Sequence, residues 1–303
     1  FASSAAAAIH YYNMNKDNLQ NVLLEHIYYS SLIYECPDKF SKQNTINKRL
    51  GDIILDEEYK NKQPFKDFIN EMSPSGEIIE YNSNSRDVQY GIIQNDKEMS
   101  ITVVFRGSES MLDWYHDLIV FKKSIYGEKM KVHKGFHLQL FNEHLYYNIE
   151  QKLLNLKLRN PSYQLYVTGH SAGAALATLF AFFFANTLAY KKHFKLYDHT
   201  IVCISFASPR IGNKAFQKEF NEHEHVEHFR CFNTKDIISA VPNYKYYHTG
   251  YGVKISKKET FLFLDTKNKE QYHNTFIKFW KLSEHFSSSY CKRIKSNDIV
   301  IIK

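Results

Sequence analysis

The chain has little proline (6 in 303 residues), little cysteine (4) and modest glycine (11). With so few breakers and no Pro/Gly/Ser-rich stretch, no linker divides it. The cysteines, Cys36, Cys203, Cys231 and Cys291, form no C-x-x-C pair and show no zinc spacing, which removes the sequence grounds for a dithiol redox motif or a zinc ribbon. Cys203 and Cys231 lie in apolar runs and read as buried free thiols. No Asn-x-Ser/Thr acceptor occurs despite abundant asparagine, which speaks against a glycosylated eukaryotic secretory product. No repeat of fixed period is present. The longest apolar run, Ala172 to Ala185, is too short to span a bilayer, so no transmembrane segment is expected.

A net charge of +7 favours an anionic partner, but the lysines are scattered among Asn, Tyr and Ile and form no stripe. Nucleic acid is therefore not expected as a partner, and weak attraction to an anionic lipid surface is. The hydrophobic content of 44% is enough for a sizeable core. Residues 1–16, opening FASSAAAA, read as a disordered start of a processed chain, and residues 17–303 as one domain. His223, His225 and His228 suggest a metal cluster, but four positions after His223 comes Glu227, so no helical i, i+4 His pair forms. They read as a solvated polar helix end, with no metal.

Helical spacing of Leu19, Val22, Leu23, Ile27 and Leu32 predicts an amphipathic helix from Asp17 to about Tyr34, ended by Pro37. The polar stretch Ser41 to Gly76 reads as short helices and loop. Strands are expected at Ile78–Tyr81, Val88–Ile93 and Ser100–Phe105, with a turn at Asn95-Asp96. One long helix is expected from His133 to Leu156. From Gln164 onward strands and helices alternate: strands at Gln164–Val167, Thr200–Phe206 and Val226–Phe232, helices after Ser171 and over Asn213–Asn221. Later strands at Tyr246–Ile255 and Thr260–Leu264 and a closing helix at Asn274–Lys292 complete the reading. This order predicts an α/β fold with a mostly parallel central sheet and helices on both faces. In such a sheet the site lies at the carboxyl ends of the strands, where Gly169 to Ser171, Ala207 to Pro209 and Asn233 to Asp236 converge.

The segment YVTGHSAGAALAT (Tyr166–Thr178) sets Ser171 between Gly169 and Gly173 at a strand-to-helix join. A serine hydroxyl is a poor nucleophile near neutral pH, so chemistry needs it held proud of the backbone, near a base and N–H donors. This is a nucleophile elbow, and Ala172, next in the chain, supplies one oxyanion N–H. Such an arrangement requires a carboxylate and then a histidine downstream. Asp236, after a strand in CFNTKDIISAVP, is placed for the first role. His248, His273 and His285 all follow, and composition does not rank them.

Several further segments resemble the class 3 lipases, the fungal lipase-like branch of the α/β hydrolases, over about Tyr28 to Cys291. They are VVFRGSESMLDWYHDL (Val103–Leu118), VHKGFH (Val132–His137), FASPRIGN (Phe206–Asn213) and FNTKDIISAVP (Phe232–Pro242). The resemblance implies Asp236 as the triad carboxylate. It implies His285 as the base, because Tyr290 stands at the family's aromatic position five residues on, whereas His248 in YYHTGYG matches a non-catalytic histidine. It implies Ser108 as the second oxyanion donor and a lid over Ser110–Phe121, where Met111, Leu112, Trp114, Tyr115 and Leu118 make an apolar face that covers the site or meets lipid. Ala172 departs from the usual Leu and Ala174 from the usual Gly, and the first removes an apolar wall from the acyl site. The family habit also implies a secreted protein, with an intracellular one as the alternative, and a Cys36–Cys291 disulfide.

The expected activity is that of a serine lipase or esterase acting on triacylglycerol-type esters through an acyl-enzyme, with no metal or cofactor. The alternatives are a phospholipase A1, a small-ester (feruloyl-type) esterase, or a lipase-like binding or signalling protein without catalysis.

Overall fold

Valine, isoleucine and phenylalanine in unbroken runs make strands that are buried on both faces, and the computed structural model, which describes residues 16–35, 76–82, 88–107, 121–191, 200–242, 244–264 and 282–302, places such runs at the sheet's centre. Strands β1 (Glu77–Asn82), β2 (Tyr90–Asn95), β3 (Ser100–Phe105), β6 (Gln164–His170), β7 (Ile201–Phe206), β8 (Val226–Asn233), β9 (Tyr251–Ile255), β10 (Glu259–Phe263) and β11 (Asp298–Ile302) lie side by side in that order in one sheet. From β3 through β6, β7 and β8 to β9 every pairing is parallel. The β1–β2–β3 meander and the β9–β10 pair are antiparallel, and β11 runs parallel to β10. Strands β4 (Lys122–Ser124) and β5 (Lys131–His133) form a separate ribbon.

The period of two in strand side chains splits the core into two layers. Ile92, Val103, Val167, Ile201 and Cys203 pack on one face. The helices there are α2 (Lys134–Phe141), α3 (Leu145–Arg159), α4 (Ala172–Lys191) and α5 (Lys214–Glu222). Their chain neighbours Ile93, Val104, Val202 and Ile204 pack on the other, against α1 (Lys16–Glu35) and α6 (Ser287–Ser296). Helix α4 is apolar all round because it is enclosed: Phe180, Phe182 and Phe184 have no exposed surface. Its stretch Ala172–Ala189, which runs past the apolar run into Asn186 and Thr187, is by length and composition long and apolar enough to cross a membrane, and 83% of it is buried inside the protein.

The α/β class, the mostly parallel sheet and the two helical layers are as expected. Several elements differ. The helix expected over His133–Leu156 is broken at Asn142–His144, where Glu143 and His144 sit at φ 48° and 60° and redirect the chain from α2 into α3. Strand β9 starts only at Tyr251, after Gly250 at φ 75°, where an added Cβ would lie 2.3 Å from the His228 carbonyl. Of the closing helix expected over Asn274–Lys292, residues up to 281 lie outside the described residues. From there the chain makes a 3-10 turn at Leu282–Glu284 and a bend at His285 before α6. Strand β11 was not expected. Residues 41–75, His273, Cys36, Ser108 and the lid residues Met111, Leu112, Trp114, Tyr115 and Leu118 lie outside the described residues.

Candidate active site

Strand β6 ends at His170 and α4 begins at Ala172, so Ser171 alone makes the turn, at φ 58°. A non-glycine residue held there is strained and persists only if its surroundings fix it. They do so by close backbone contact. A Cβ on Gly169 would lie 2.5 Å from Gly173 backbone atoms, and one on Gly173 would lie 2.3 Å from the Phe105 carbonyl, so both positions admit only glycine. The Ser171 N–H donates to Phe206 O of β7 at 2.9 Å, and its carbonyl accepts from Ala174 at 3.1 Å. Ala172 is the first residue of α4 and 6% exposed, and a helix leaves its opening N–H groups without intrahelical partners.

Asp236 follows β8 and is fully buried. Its carboxylate is held from three sides. The Ile238 N–H donates to Oδ1 at 3.0 Å, the Tyr290 hydroxyl donates to Oδ2 at 2.8 Å, and Nδ1 of His285 lies 2.9 Å from both oxygens. An ionised carboxylate only accepts, so Nδ1 of His285 donates to it, and in the neutral imidazole that leaves the lone pair on Nε2. That Nε2 is buried and has no hydrogen-bond partner among the described residues. Burial first, and then the Asp236 charge, push the Tyr290 phenol well up, so it stays a donor; its oxygen also accepts from the Asn233 N–H at 3.0 Å.

The backbone of His285 is pinned as firmly as its ring. Asn233 Nδ2 donates to Glu284 O at 2.6 Å, Arg293 donates to Asn233 Oδ1 at 3.1 Å, and Arg293 also pairs with the Glu284 carboxylate. From the elbow, His170 Nε2 donates to His285 O at 2.6 Å, with the two rings 4.7 Å apart. Burial, and next the proximity of His285, lower His170 to about 3, so its ring is neutral. Because His170 immediately precedes Ser171, this contact brings the elbow and the His285 segment together. Tyr34 of α1 donates to His170 O at 3.2 Å.

Of the three downstream histidines, His285 is bonded to Asp236. His248 is not: its ring is bonded to Ser239 O at 2.7 Å. Sequence reasoning missed His170, Asn233, Arg293 and the phenol of Tyr290; the one visible signal was the Gly-His-Ser of the elbow. The histidine group reads differently in three dimensions. His228 lies in β8, 2% exposed, bonded to Ser205 at 2.7 Å and Thr249 at 2.9 Å, so it is no solvated helix end. Cys203 and Cys231 are buried free thiols, and burial pushes Cys203 up to about 12.

Residues 102–246 match the family model described as Lipase (class 3). The chain is 29% identical over 224 residues to a lipase of Rhizopus niveus, covering 71% of this chain and 54% of that protein. It is 34% identical over 125 residues to phospholipase A1-II 5 of Oryza sativa subsp. indica, covering 39% of this chain and 26% of that one. Thus it spans about half the length of the Rhizopus lipase it matches. In three dimensions it resembles a triacylglycerol lipase whose catalytic centre is a serine protease triad, with TM-score 0.58, 26% identity, and 70% and 80% of the two chains covered. By the elbow, the fold and these matches the chain is similar to the class 3 lipases of the α/β hydrolases, the family whose model its residues 102–246 match.

Proposed function

We propose that the protein is a serine lipase hydrolysing acyl esters of lipids, with triacylglycerol-type esters as substrates. The observation that carries this is the buried Asp236–His285 pair, on a segment bonded at 2.6 Å to His170, the residue before a serine in left-handed conformation. Ser171 Oγ attacks the ester carbonyl while Nε2 of His285 takes its proton. The tetrahedral oxyanion is held by the N–H groups of Ala172 and Ser108. Collapse expels the alcohol, which takes the proton from His285, and leaves an acyl-serine. Water, giving a proton to His285, then releases the fatty acid and restores Ser171. Asp236 orients the imidazole and stabilises its charged form, with Tyr290 and the Ile238 N–H stabilising the carboxylate in turn. All these groups come from the chain itself, and no metal or cofactor enters the scheme.

The proposal extends to the surroundings of the reaction. The apolar residues Met111, Leu112, Trp114, Tyr115 and Leu118 act as a lid at a lipid–water boundary, and the enzyme works outside the cell, in line with the family resemblance. Labelling by a fluorophosphonate probe tests the core of the reading: native protein is expected to label at Ser171, and Ser171→Ala to lose labelling and nearly all esterase activity while keeping its circular dichroism. Unlabelled, folded native protein would overturn it in favour of a binding module. A second reading, phospholipase A1, is favoured by the rice relative at 34% identity. Hydrolysis of matched triacylglycerol, phospholipid and short-ester substrates separates the two.

A further inference from the structure

Away from Ser171, the molecule carries an aromatic cleft of about 380 Å³ between the β4–β5 ribbon, α2, α3 and the far half of α4. Phe183, on its wall, stands eleven residues into α4, or about 17 Å along the axis from the elbow at 1.5 Å per residue. The cleft is therefore separate from the Ser171 site. Its walls are mostly rings. Phe141 and Phe183 meet edge to face at 4.9 Å, Tyr146 and Tyr147 at 5.4 Å, and Tyr126 leans over Phe183 at 5.8 Å.

At the base of these rings lies a carboxylate. Glu150 is 8% exposed, and its Oε1 accepts from Thr187 at 2.7 Å and from Tyr146 at 3.3 Å. Among the described residues no lysine, arginine or histidine pairs with it. A buried carboxylate is ordinarily matched by a cation, and here two neutral hydroxyls are its partners. His137, stacked on Phe141 at 4.7 Å, adds no positive charge, because burial lowers its ring's affinity for a proton. Burial, and then the proximity of Tyr147 and Glu150, push the Tyr126 phenol up, and all three residues line the cleft.

Backbone strain concentrates here as well. Of the seven non-glycine residues with positive φ among the described residues, Tyr126 lies on the cleft, and Glu143 and His144 form the kink that turns Tyr146 and Tyr147 into it. Strain of this kind is held where a function uses it. Ring faces around a buried anion are the recognition chemistry of an organic ammonium ion, whose diffuse charge is attracted to aromatic quadrupoles and does not require hydrogen bonds. The volume is within the range of small-ligand sites.

We propose that this cleft binds a quaternary ammonium group of the choline type. The inference does not rest on the catalytic reading, and the circular dichroism spectrum and thermal unfolding of each variant serve as the check that it is folded. Tyrosine fluorescence or calorimetry of the full chain with choline is expected to show saturable binding, and the neutral carbon isostere 3,3-dimethylbutanol to bind at least about tenfold more weakly. Glu150→Gln keeps the acceptor for Thr187 and is expected to weaken choline by about tenfold; Tyr126→Ala, at a residue 63% exposed, by about threefold. Absence of saturable choline binding, equal binding of the isostere, or native affinity in both variants would overturn the proposal. Vesicles identify the natural source. Choline-competed binding to phosphatidylcholine but not phosphatidylglycerol vesicles assigns a lipid headgroup, whereas choline binding without vesicle capture assigns a soluble ammonium ion, and both outcomes uphold the site.

Discussion

His170 lies between Gly169 and Ser171, yet its ring belongs to the other side of the site, donating to His285 O at 2.6 Å. On the proposed mechanism this makes it a positioning residue, which fixes where His285 sits without itself taking the serine's proton. His170→Gln, which can keep an N–H donor at a similar reach, is expected to retain most activity. His170→Leu is expected to lower kcat by about tenfold or more with KM little changed, since loss of alignment acts on the transition state. Its buried neutrality also has a pH signature. The folded protein holds His170 at about 3, against an ordinary value of 6.5. Between those values the unfolded chain takes up a proton that the folded chain refuses, so stability is full above pH 6.5 and falls as the pH drops toward 3, by as much as a few kcal/mol. The Gln variant, which does not titrate, is expected to show a flatter dependence of Tm on pH across that window. An unchanged slope would remove His170 as the source.

Backbone contact, more than side-chain chemistry, sets the shape of the elements around the elbow. At Gly173 an added methyl would meet Phe105 O at 2.3 Å and the Arg106 carbonyl carbon at 2.8 Å, so Gly173→Ala must push α4 off β3. At Gly127, φ 101°, nothing lies within 4 Å, and only the conformational penalty remains. Urea unfolding is expected to show Gly173→Ala losing several kcal/mol or failing to fold, and Gly127→Ala losing about 1 to 2 kcal/mol. Much at this scale was legible in the sequence. The bounds of β3 followed from an uninterrupted apolar run between turn residues, and the elbow from its two glycines. The break at Asn142–His144 was not, because Glu143 and His144 take left-handed backbone with no glycine or proline to mark it. The setting of His285 was half legible. Its order after Asp236 follows from the chemistry, but its place in a bend outside the helix depends on bonds from Asn233 and His170, which are distant in sequence. Strand β11 left no sequence signal that stood out from a short apolar tail, and its pairing with β10 is a tertiary event.

At the scale of the whole molecule, the described residues leave large hydrophobic side chains exposed, among them Phe121 at 66% and Tyr244 at 67%. Lys122 lies 3.9 Å over the Tyr246 ring in the same neighbourhood. Apolar rings beside a basic side chain suit a surface that meets anionic or zwitterionic lipid, and the net charge of +7 has the same sense. With Ser110–Phe121 acting as the proposed lid, the rate on a short-chain ester is expected to rise severalfold as the ester passes from monomers to aggregates. Rates that follow simple saturation through that boundary would refute interfacial opening.

The serine and the groups that activate it come from opposite ends of the fold's assembly. The nucleophile is set once β3, β6 and α4 have packed, whereas the imidazole arrives on the last stretch of chain described, tied down by Asn233 and Arg293. A ribosome-bound chain that has not yet released residues 282–302 therefore has an elbow and no base. On the proposed mechanism hydrolysis requires that stretch to have emerged and docked, which would spare the cell that makes this protein an active esterase until then.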